Sequence, residues 1–583
     1  MIYLTEVRAK NILEIKKDKK KFMQDKSPAF EIGLVMAGAV SAGAYSSGVI
    51  DFLIEALDNW YQEKQMQQQL HGEDYSQWEI PCHDVIIKAI SGTSAGGITA
   101  AITAASLFDD ITPVTQYPGE KPVNNKFYEA WVQKIDISEF LKTKDLADPK
   151  AQFLSVLDSS ILDAIGKDVI HSVINNKSAL KKRPYFADPL QVYMCVTNLR
   201  GVPYTISTQG ADPGIKGHKM VLHADYMHFA LGTNTEIVGN AIALNPDGSD
   251  ASKWQLMVQS ALASSAFPGA LAARDLVRVS TEEYEKRLWK VPTSISTCQY
   301  YSYRSISPDI SSVDTGSYQF LAVDGGSLNN EPIELVRSHL QVDEQHNSRD
   351  PQQAKWATVL IDPFPDDVAA VNPDTNLPSI MLRLFYALMA NARFKPEELI
   401  LAQDENIYSR FLISPVRESD RLKPLASGSL RAFGGFLHPS FRHHDYILGR
   451  RNCQKFLKEY FVLSASNPLF NSWSPTLKNN PKWQVFKQNK DESYFLPIIP
   501  LVGSAEKEIA LPEWPRYPKE QLNSLEKQIK TRSQDIFSHL NNHLVNDWLL
   551  HNTLNLLWNF KQGMLIKRIR AYIEDELKKR GQL

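Results

Sequence analysis

One short segment, Gly92-Thr93-Ser94-Ala95-Gly96, has the G-x-S-x-G spacing of a serine nucleophile. It follows an apolar run at 85–90 that is typical of a buried strand, and a segment with helical periodicity begins at Ala95. In a strand–turn–helix setting the small residues let the backbone bend sharply, and the helix amino terminus favours an oxyanion. The segment therefore predicts a nucleophile at Ser94, although the same spacing also arises by chance in Gly/Ser-rich sequences.

A serine hydroxyl is a poor nucleophile until a base accepts its proton, and Asp324 is the first candidate for that base. Asp324-Gly325-Gly326 follows the apolar run 320–323, which places the carboxylate at the end of a predicted strand. An aspartate before glycine more often caps its own turn, so a purely structural role is the alternative. Asp362 ends another apolar run, but the bulky residues after it leave less room for close approach.

A third turn, Gly38-Ala39-Val40-Ser41-Ala42-Gly43, follows the apolar run 32–36. Successive backbone amides in such a turn can converge on an anion, whether a phosphate or a tetrahedral oxyanion. The turn lacks the lysine of a P-loop, and its second and third residues are too bulky for a pyrophosphate-binding fingerprint. We therefore expect an oxyanion site here rather than a nucleotide site.

Short apolar runs alternate with helical periodicity from about residue 31, which predicts an α/β fold with mostly parallel strands. Further strands are predicted at 191–199, 320–323 and 356–362, whereas 200–250 has no clear period and is expected to be an inserted or looped region. In parallel sheets the working residues sit at the carboxyl ends of the strands, where all three turns are predicted.

Composition excludes several other classes of protein. The 64 basic and 66 acidic residues give a net charge of -2, so we expect no nucleic-acid partner. The four cysteines lie far apart without a CxxC pair, which argues against a disulfide framework and a zinc site alike. No apolar run follows the lysines of the first thirty residues, so we expect no signal peptide there. The two uncharged stretches, 33–50 and 89–108, are too rich in small residues to insert well into a bilayer. We therefore expect a cytoplasmic protein without a membrane span, with peripheral membrane contact left open.

Several segments resemble the patatin-like phospholipase family. Residues 34–49 resemble its oxyanion segment, 92–97 its nucleophile elbow, and 323–332 its aspartate-glycine motif. Residues 261–269 are similar to the family's small-residue segment, and 441–452 resemble the tail of large bacterial members. Three motifs in the right order are far more specific than any one, and they cover roughly residues 31–345.

The resemblance implies a three-layer α/β/α sandwich with a mostly parallel central sheet and a C-terminal helical extension. It implies a Ser94–Asp324 dyad that cleaves the esters of membrane or micellar phospholipids, or of other acyl lipids, through an acyl-enzyme. No cofactor, metal or histidine is implied. The backbone amides of Gly38, Ala39 and Val40 would form the oxyanion hole. The other motif positions are Gly43, Gly92, Thr93, Ala95, Gly96, Gly325 and Gly326.

The oxyanion turn departs from the family pattern. Where the family usually has three glycines and a basic residue, this chain has Ala39, Val40 and Ala42. Backbone amides can still donate from these residues if they avoid a positive φ. The departure therefore bears on recognition of a phosphate head group more than on ester cleavage.

Five regions are expected along the chain: a basic tail at 1–30, a patatin-like catalytic domain at 31–345, a continuation of the α/β fold at 346–465, a proline-rich connector at 466–518 and a helical region at 519–583. The last region is predicted to carry an apolar stripe with a basic flank. A stripe of this kind usually packs on its own domain, and docking on an anionic membrane is the alternative. The stripe comprises Leu554, Leu557, Trp558, Leu565, Ile569 and Ile573.

Three rival interpretations remain at this stage. A Ser–Asp–His triad is available in chain order, because His438, His443 and His444 all follow Asp324. The altered oxyanion turn is compatible with a catalytically weak scaffold that binds lipid or an unidentified protein partner. An acyltransferase would use the same acyl-enzyme with an alcohol in place of water.

Overall fold

The computed structural model describes most of the chain from residue 28 onward. The described residues are 28–583 apart from 149, 176–180, 207–216, 234–239, 279–286, 288, 296–300, 311–315, 342–347, 487–493, 545–547 and most of 364–405. The predicted basic tail lies almost entirely outside the described residues.

The described strands and helices alternate up to about residue 186, after which three strands follow one another directly. The strands are β1 Phe30–Met36, β2 Val85–Thr93, β3 Phe186–Ile206, β4 His218–Leu231, β5 Ile242–Leu244, β6 Arg274–Arg278, β7 Trp289–Ile295, β8 Tyr301–Ile306, β9 Tyr318–Asp324, β10 Trp356–Ile361, β11 Arg410–Ile413, β12 Val462–Ser464 and β13 Phe495–Pro497. The longer helices are α1 Gly43–His71, α2 Ala95–Ser106, α3 Ser160–Asn175, α4 Ala251–Ser264, α5 Ile333–Leu340, α6 Pro439–Glu459, α7 Lys519–Leu544 and α8 Trp548–Lys579.

The central sheet has the order β11-β10-β1-β2-β3-β4-β5, with β9 paired to both β3 and β6, and is mostly parallel on the β11-to-β3 side. Its central strands are built from β-branched and apolar residues because both of their faces are covered. Helix α5 covers one face, where Val336 packs against Gly33 and the smaller apolar cluster forms. Helices α1, α2, α4 and α6 contribute to the main core on the other side. The predicted three-layer α/β/α sandwich is thus confirmed.

Strand β9 runs in the direction opposite to the one that simple βα alternation predicts. Along one edge of β3, Thr93 of β2 pairs in parallel with Cys195, and Asp324 of β9 pairs antiparallel with the next residue, Val196. The carboxyl ends of β2 and β9 therefore meet head to head on neighbouring positions of β3. This register brings the two sequence-predicted catalytic turns together.

The expected loop at 200–250 is wrong for much of that range. Strand β3 continues to Ile206 and pairs with β4 as a long antiparallel hairpin, with a register shift between Thr197 and Val202. The first seven residues of β4 are exposed or half-buried, and histidines, a lysine and an aspartate interrupt its apolar residues, so the sequence pattern resembled a loop. Residues 207–216, between the two strands in the chain, lie outside the described residues.

Helix α6 packs on α1 through two glycines that approach the opposite backbone. A side-chain carbon on Gly48 would lie 2.0 Å from the Tyr446 carbonyl oxygen, and one on Gly449 would lie 2.1 Å from that of Tyr45. Both distances are far below van der Waals contact, so only glycine permits this crossing. The buried Arg450 adds an ion pair from α6 to Asp51 on α1.

Among the described residues, one helical stretch is long and apolar enough to cross a membrane. It is Val40–His71, whose best window has a mean hydropathy of 1.2 and is 89% buried inside the protein. A core helix of a folded domain has this character, and α1 is covered by α6 and the sheet.

The C-terminal region forms two long helices as its 3.6-residue period predicts, but the stripe does not lie on one face. Ile573 packs in a cluster with Leu437 and Phe441, whereas Leu557 and Leu565 are 51% and 43% exposed. The spacing from 557 to 573 spans more than four helical turns, and the apolar positions drift around the helix over that length. The stripe therefore divides into a packed end and an exposed end.

Candidate active site

Ser94 lies at the sharp turn between β2 and α2. Its backbone has φ 54° and ψ -122°, an uncommon conformation for a residue with a side chain. Glycines make the bend possible, because a carbon on Gly92 would lie 2.3 Å from the Gly96 carbonyl and one on Gly96 would lie 2.2 Å from that of Met36. The Ser94 amide donates to Ser264 Oγ at 2.8 Å, which anchors the turn to the end of α4.

The carboxylate of Asp324 meets the Ser94 hydroxyl directly. Ser94 Oγ donates to Asp324 Oδ2 at 2.7 Å, while the Gly326 amide donates to Asp324 Oδ1, also at 2.7 Å. Both side chains are buried, with 8% of Ser94 and 4% of Asp324 exposed. One carboxylate oxygen thus accepts the amide of its own turn, and the other accepts the serine hydroxyl. The turn-capping role is therefore present, and it does not prevent contact with Ser94.

Side chains on neighbouring strands hold the aspartate motif in register with the elbow. Thr93 Oγ1 donates to the Asn329 carbonyl at 2.9 Å, and Thr197 Oγ1 donates to that of Asp324 at 2.8 Å. Gly325 lies so close to β3 that an added carbon would be 2.3 Å from the Cys195 carbonyl oxygen. These contacts give Thr93 and Gly325 a positioning role that needs no contact with substrate.

The oxyanion turn passes beside Ser94. A carbon built on Gly38 would lie 3.1 Å from Ser94 Cβ and 2.4 Å from Asn330 Oδ1. The Gly38 amide points to the Asn330 carbonyl at 3.4 Å, whereas the amides of Ala39 and Val40 donate to no acceptor among the described residues. Of the three amides predicted for the oxyanion hole, these two are therefore the ones left available.

Val40 does not meet the condition of avoiding positive φ, because its φ is 46°. Glycine takes this conformation at no steric cost, but a β-branched residue is strained there. The backbone at position 40 thus has a conformation that favours glycine, although the residue there is valine. At its end Gly43 starts α1 under the ring of Trp131, which a side-chain carbon would approach to 2.3 Å.

An apolar cavity opens at the Ser94–Asp324 pair. Apart from Ser94, Ser265 and Asp324, the residues that line it are apolar: Val40, Ala95, Ile98, Trp131, Ile135, Phe140, Leu157, Leu162, Phe267, Leu271, Phe433 and Phe436. The arrangement can bind a hydrocarbon chain and present an attached carbonyl group to the serine.

The three candidate histidines have other partners. His443 Nδ1 lies 2.9 Å from the Tyr128 hydroxyl, and burial lowers the pKa of His443 to about 4. His444 Nδ1 lies 2.9 Å from Asp445 Oδ1, and His438 accepts the Ser440 amide at the start of α6. Each histidine therefore stabilises α6 and its surroundings.

The rival carboxylate Asp362 follows β10. In the sheet β10 is separated from β2 by β1, which corresponds to about 10 Å between strands. Asp324 is the carboxylate that lines the cavity among the described residues. Those residues also contain no cluster of three His, Cys, Asp or Glu side chains placed to hold a metal ion.

Sequence reasoning missed several residues that build the site. Ser264 anchors the elbow, and Phe433 and Phe436 line the cavity from a segment more than 100 residues beyond Asp324. The Gly434-Gly435 pair between the two phenylalanines was the available signal, because adjacent glycines mark a close backbone approach. A single sequence does not indicate which part of the chain those glycines approach.

Comparison with known proteins agrees with this geometry. The patatin-like phospholipase family matches residues 34–337, which contain both catalytic turns and the oxyanion turn. The chain belongs to the patatin-like phospholipase family. This is a family of lipid acyl hydrolases, and the resemblance inferred from the motifs is confirmed.

A similar protein over almost the full length is the uncharacterized protein y4iI of Sinorhizobium fredii (strain NBRC 101917 / NGR234). It is 32% identical over 600 residues, which cover 95% of this chain and 82% of the relative. The similarity therefore extends well beyond the family match. Strands β10 and β11 and helices α6, α7 and α8 all lie after residue 337, as do Phe433 and Phe436.

Proposed function

We propose that this patatin-like protein is a serine lipid acyl hydrolase in which Ser94 is the nucleophile and Asp324 the general base. The observation that carries the proposal is the 2.7 Å contact between the two side chains at the mouth of an apolar cavity. The reaction needs a base within hydrogen-bond reach of the hydroxyl, and Asp324 meets that requirement without a histidine.

In the proposed reaction Ser94 Oγ attacks the ester carbonyl carbon while its proton passes to Asp324. The negative charge that develops on the carbonyl oxygen is stabilised by the amides of Ala39 and Val40 and by the amino terminus of α2. The tetrahedral intermediate then collapses, the carbon–oxygen bond to the leaving alcohol breaks, and Asp324 returns the proton to that alcohol. Water repeats the same steps on the acyl-enzyme and releases a fatty acid.

The cavity supports an acyl lipid as the substrate class. Among the described residues that line it, Asp324 is the ionisable one, so a charged head group would find no countercharge inside. An acyl chain, in contrast, would be surrounded by aliphatic and aromatic side chains and would gain roughly 0.8 kcal/mol per buried methylene. A phospholipid would therefore enter by its acyl chain and leave its head group at the mouth.

A serine-directed fluorophosphonate provides the decisive experiment. We expect it to label the full-length chain at one serine, which peptide mass spectrometry maps to Ser94, and to block fatty-acid release from phosphatidylcholine micelles. Ser94→Ala should lose both labelling and turnover by about a thousandfold or more, with a nearly unchanged thermal midpoint.

Added alcohol distinguishes the related activities. A hydrolase releases mainly free fatty acid in the presence of a glycerol or lysophospholipid acceptor, whereas an acyltransferase transfers most of the acyl group to it. Turnover by Ser94→Ala within tenfold of the wild-type rate would refute the assignment. A folded wild-type chain that is neither labelled nor active would support a lipid-binding scaffold instead.

A further inference from the structure

The oxyanion turn is hydrogen-bonded to a segment that lies after residue 337, where the family match ends. The Ser41 hydroxyl donates to the Ala432 carbonyl oxygen, and the Ser41 amide donates to the same oxygen at 3.3 Å. The Gly435 amide in turn donates to Ser41 Oγ at 3.1 Å. Ser41 is thus joined by three hydrogen bonds to residues almost 400 positions away, and it directly follows Val40.

Residues 425–437, which we call the clamp segment, are shaped for this contact. Leu430, Arg431 and Ala432 have φ values of 53°, 52° and 67°, three consecutive residues with side chains in the left-handed region. Such a run persists only where surrounding contacts over-determine it. Gly435 also allows the close approach, because an added carbon would lie 2.5 Å from Ser41 Oγ.

Two elements fix the clamp segment in place. From α6, Asp445 accepts the amides of Ala426 and Ser427 at 2.7 and 2.8 Å, and Arg442 donates to the Gly435 carbonyl at 2.7 Å. Beyond the end of α8, Arg580 donates to the carbonyls of Leu425 and Gly428 at 3.1 and 2.8 Å. The C-terminal region and the oxyanion turn are therefore both hydrogen-bonded to the clamp segment, which connects them.

The same segment also forms part of the cavity. Phe433 and Phe436 line it together with Val40, the strained residue of the oxyanion turn. Positive φ at Val40 sets the direction of its own amide and of the neighbouring peptide units. Without external contacts, a valine would relax to negative φ and turn those amides away.

We propose that Ser41 is a positioning residue, and that it and the clamp segment hold Val40 at positive φ so that the amides of Ala39 and Val40 face the reacting carbonyl. The inference rests on the proposed acyl hydrolase function. A glycine at position 40 would adopt positive φ without strain. In this chain position 40 is valine, and contacts with residues beyond 337, the end of the family match, hold it in that conformation instead.

The test is a double-mutant cycle on the full-length chain. Ser41→Ala should lower kcat by about 10- to 100-fold with little change in KM, because the lost amide interaction forms mainly in the transition state. In a Val40→Gly background the same substitution should lower kcat only about threefold or less, since glycine takes positive φ as readily as negative φ. Ser47→Ala is the matched control: it removes another buried, hydrogen-bonded hydroxyl, 3.3 Å from Thr99 Oγ1, and should leave kcat within twofold.

Several outcomes would overturn the inference. Three results would each show that Ser41 has only a packing role. Ser41→Ala could lower kcat equally in the wild-type and Val40→Gly backgrounds, it could leave kcat unaffected, or Ser47→Ala could lower kcat as much as Ser41→Ala does. If Ser41→Ala does not fold, Arg580→Gln tests the same connection, because Arg580 is hydrogen-bonded to the other end of the clamp segment. We expect Arg580→Gln to lower kcat by about 10- to 100-fold, and by about threefold or less in the Val40→Gly background. A wild-type chain that hydrolyses no acyl ester would overturn the proposed function as well, whereas an active wild type with an unaffected Ser41→Ala would overturn the positioning inference alone.

Discussion

The Ser94 hydroxyl and the Asp324 carboxylate are in hydrogen-bond contact although 230 residues separate them in the chain. They meet because β2 and β9 end against adjacent residues of β3 from opposite directions. The distance between the two side chains is thus set by the register of three strands. A change that shifts β9 along β3 would separate the pair without altering either residue.

Replacing Asp324 by asparagine tests its role as a base. The amide keeps an oxygen that can accept the Gly326 amide, so the turn should persist, but it cannot take a proton from Ser94. We expect kcat to fall by about a thousandfold or more for every acyl ester tested. Asp362→Asn is the matched control, since it neutralises a carboxylate at another strand end and should retain most of the activity. Activity in Asp324→Asn similar to that in Asp362→Asn would contradict the dyad.

His443 gives a prediction for both pH dependence and mechanism. Its pKa is lowered to about 4 by burial, so the unfolded chain binds a proton near pH 6.5 that the folded chain excludes. Its contribution to stability is therefore complete above about pH 7 and is progressively lost as the pH falls from 6.5 towards 4. Between pH 7 and pH 5 this loss is about 2 kcal/mol of unfolding free energy.

His443→Gln should accordingly flatten the fall in urea-unfolding stability between pH 7 and pH 5, while kcat at pH 7.5 stays within about fivefold of wild type. The variant loses a titrating group and leaves the Ser94–Asp324 pair intact. If kcat instead collapses as it does in Asp324→Asn, a histidine takes part in the reaction and the triad interpretation is correct.

A glycine-to-alanine substitution tests the crossing of α1 and α6, and a second one in α8 serves as its control. The added methyl group in Gly449→Ala would meet the Tyr45 carbonyl at 2.1 Å, and we expect a loss of about 2–3 kcal/mol in unfolding free energy. Gly563→Ala in α8 is the matched control, because nothing lies within 4 Å of the new carbon and alanine favours helix by about 1 kcal/mol. Urea denaturation measures both. Equal effects in the two variants would mean that the helix crossing is looser than described.

The exposed end of α8 offers a test of membrane docking. Leu557, Met564, Leu565 and Tyr572 are 43–55% exposed at helical spacing. The exposed Lys561 and Arg568 fall on the same face at intervals of three or four residues. An apolar face with cations suits an anionic lipid interface. We expect full-length protein to sediment with phosphatidylserine-containing vesicles and Leu557→Ser/Leu565→Ser to bind about tenfold more weakly.

The matched control for docking is Leu70→Ser/Leu422→Ser. It removes two leucines that are 73% and 87% exposed on other surfaces, and it should bind vesicles as the wild type does. Equal binding by all three proteins would refute docking through α8. Equal weakening in the two double variants would mean that any exposed leucine contributes, and that α8 has no special role.

The local elements that carry the chemistry were predictable because each is encoded by neighbouring residues. Apolar runs predicted β1, β2, β9 and β10, and small residues predicted the bends at Ser94 and Asp324. A buried strand and a tight turn leave a periodic or compositional trace within about ten residues. The family could thus be inferred from the sequence by itself, and so could Ser94 and Asp324 as the two residues to examine for contact.

Tertiary structure alone decided the direction of β9, the φ of Val40, the partners of Ser41 and the division of the C-terminal stripe. Each depends on which distant segment packs against a residue, and a short-range pattern carries no record of that choice. Val40 is the clearest case, since valine by itself avoids the left-handed region. The contacts that we propose to hold this conformation join the adjacent Ser41 to Ala432 and Gly435, far along the chain.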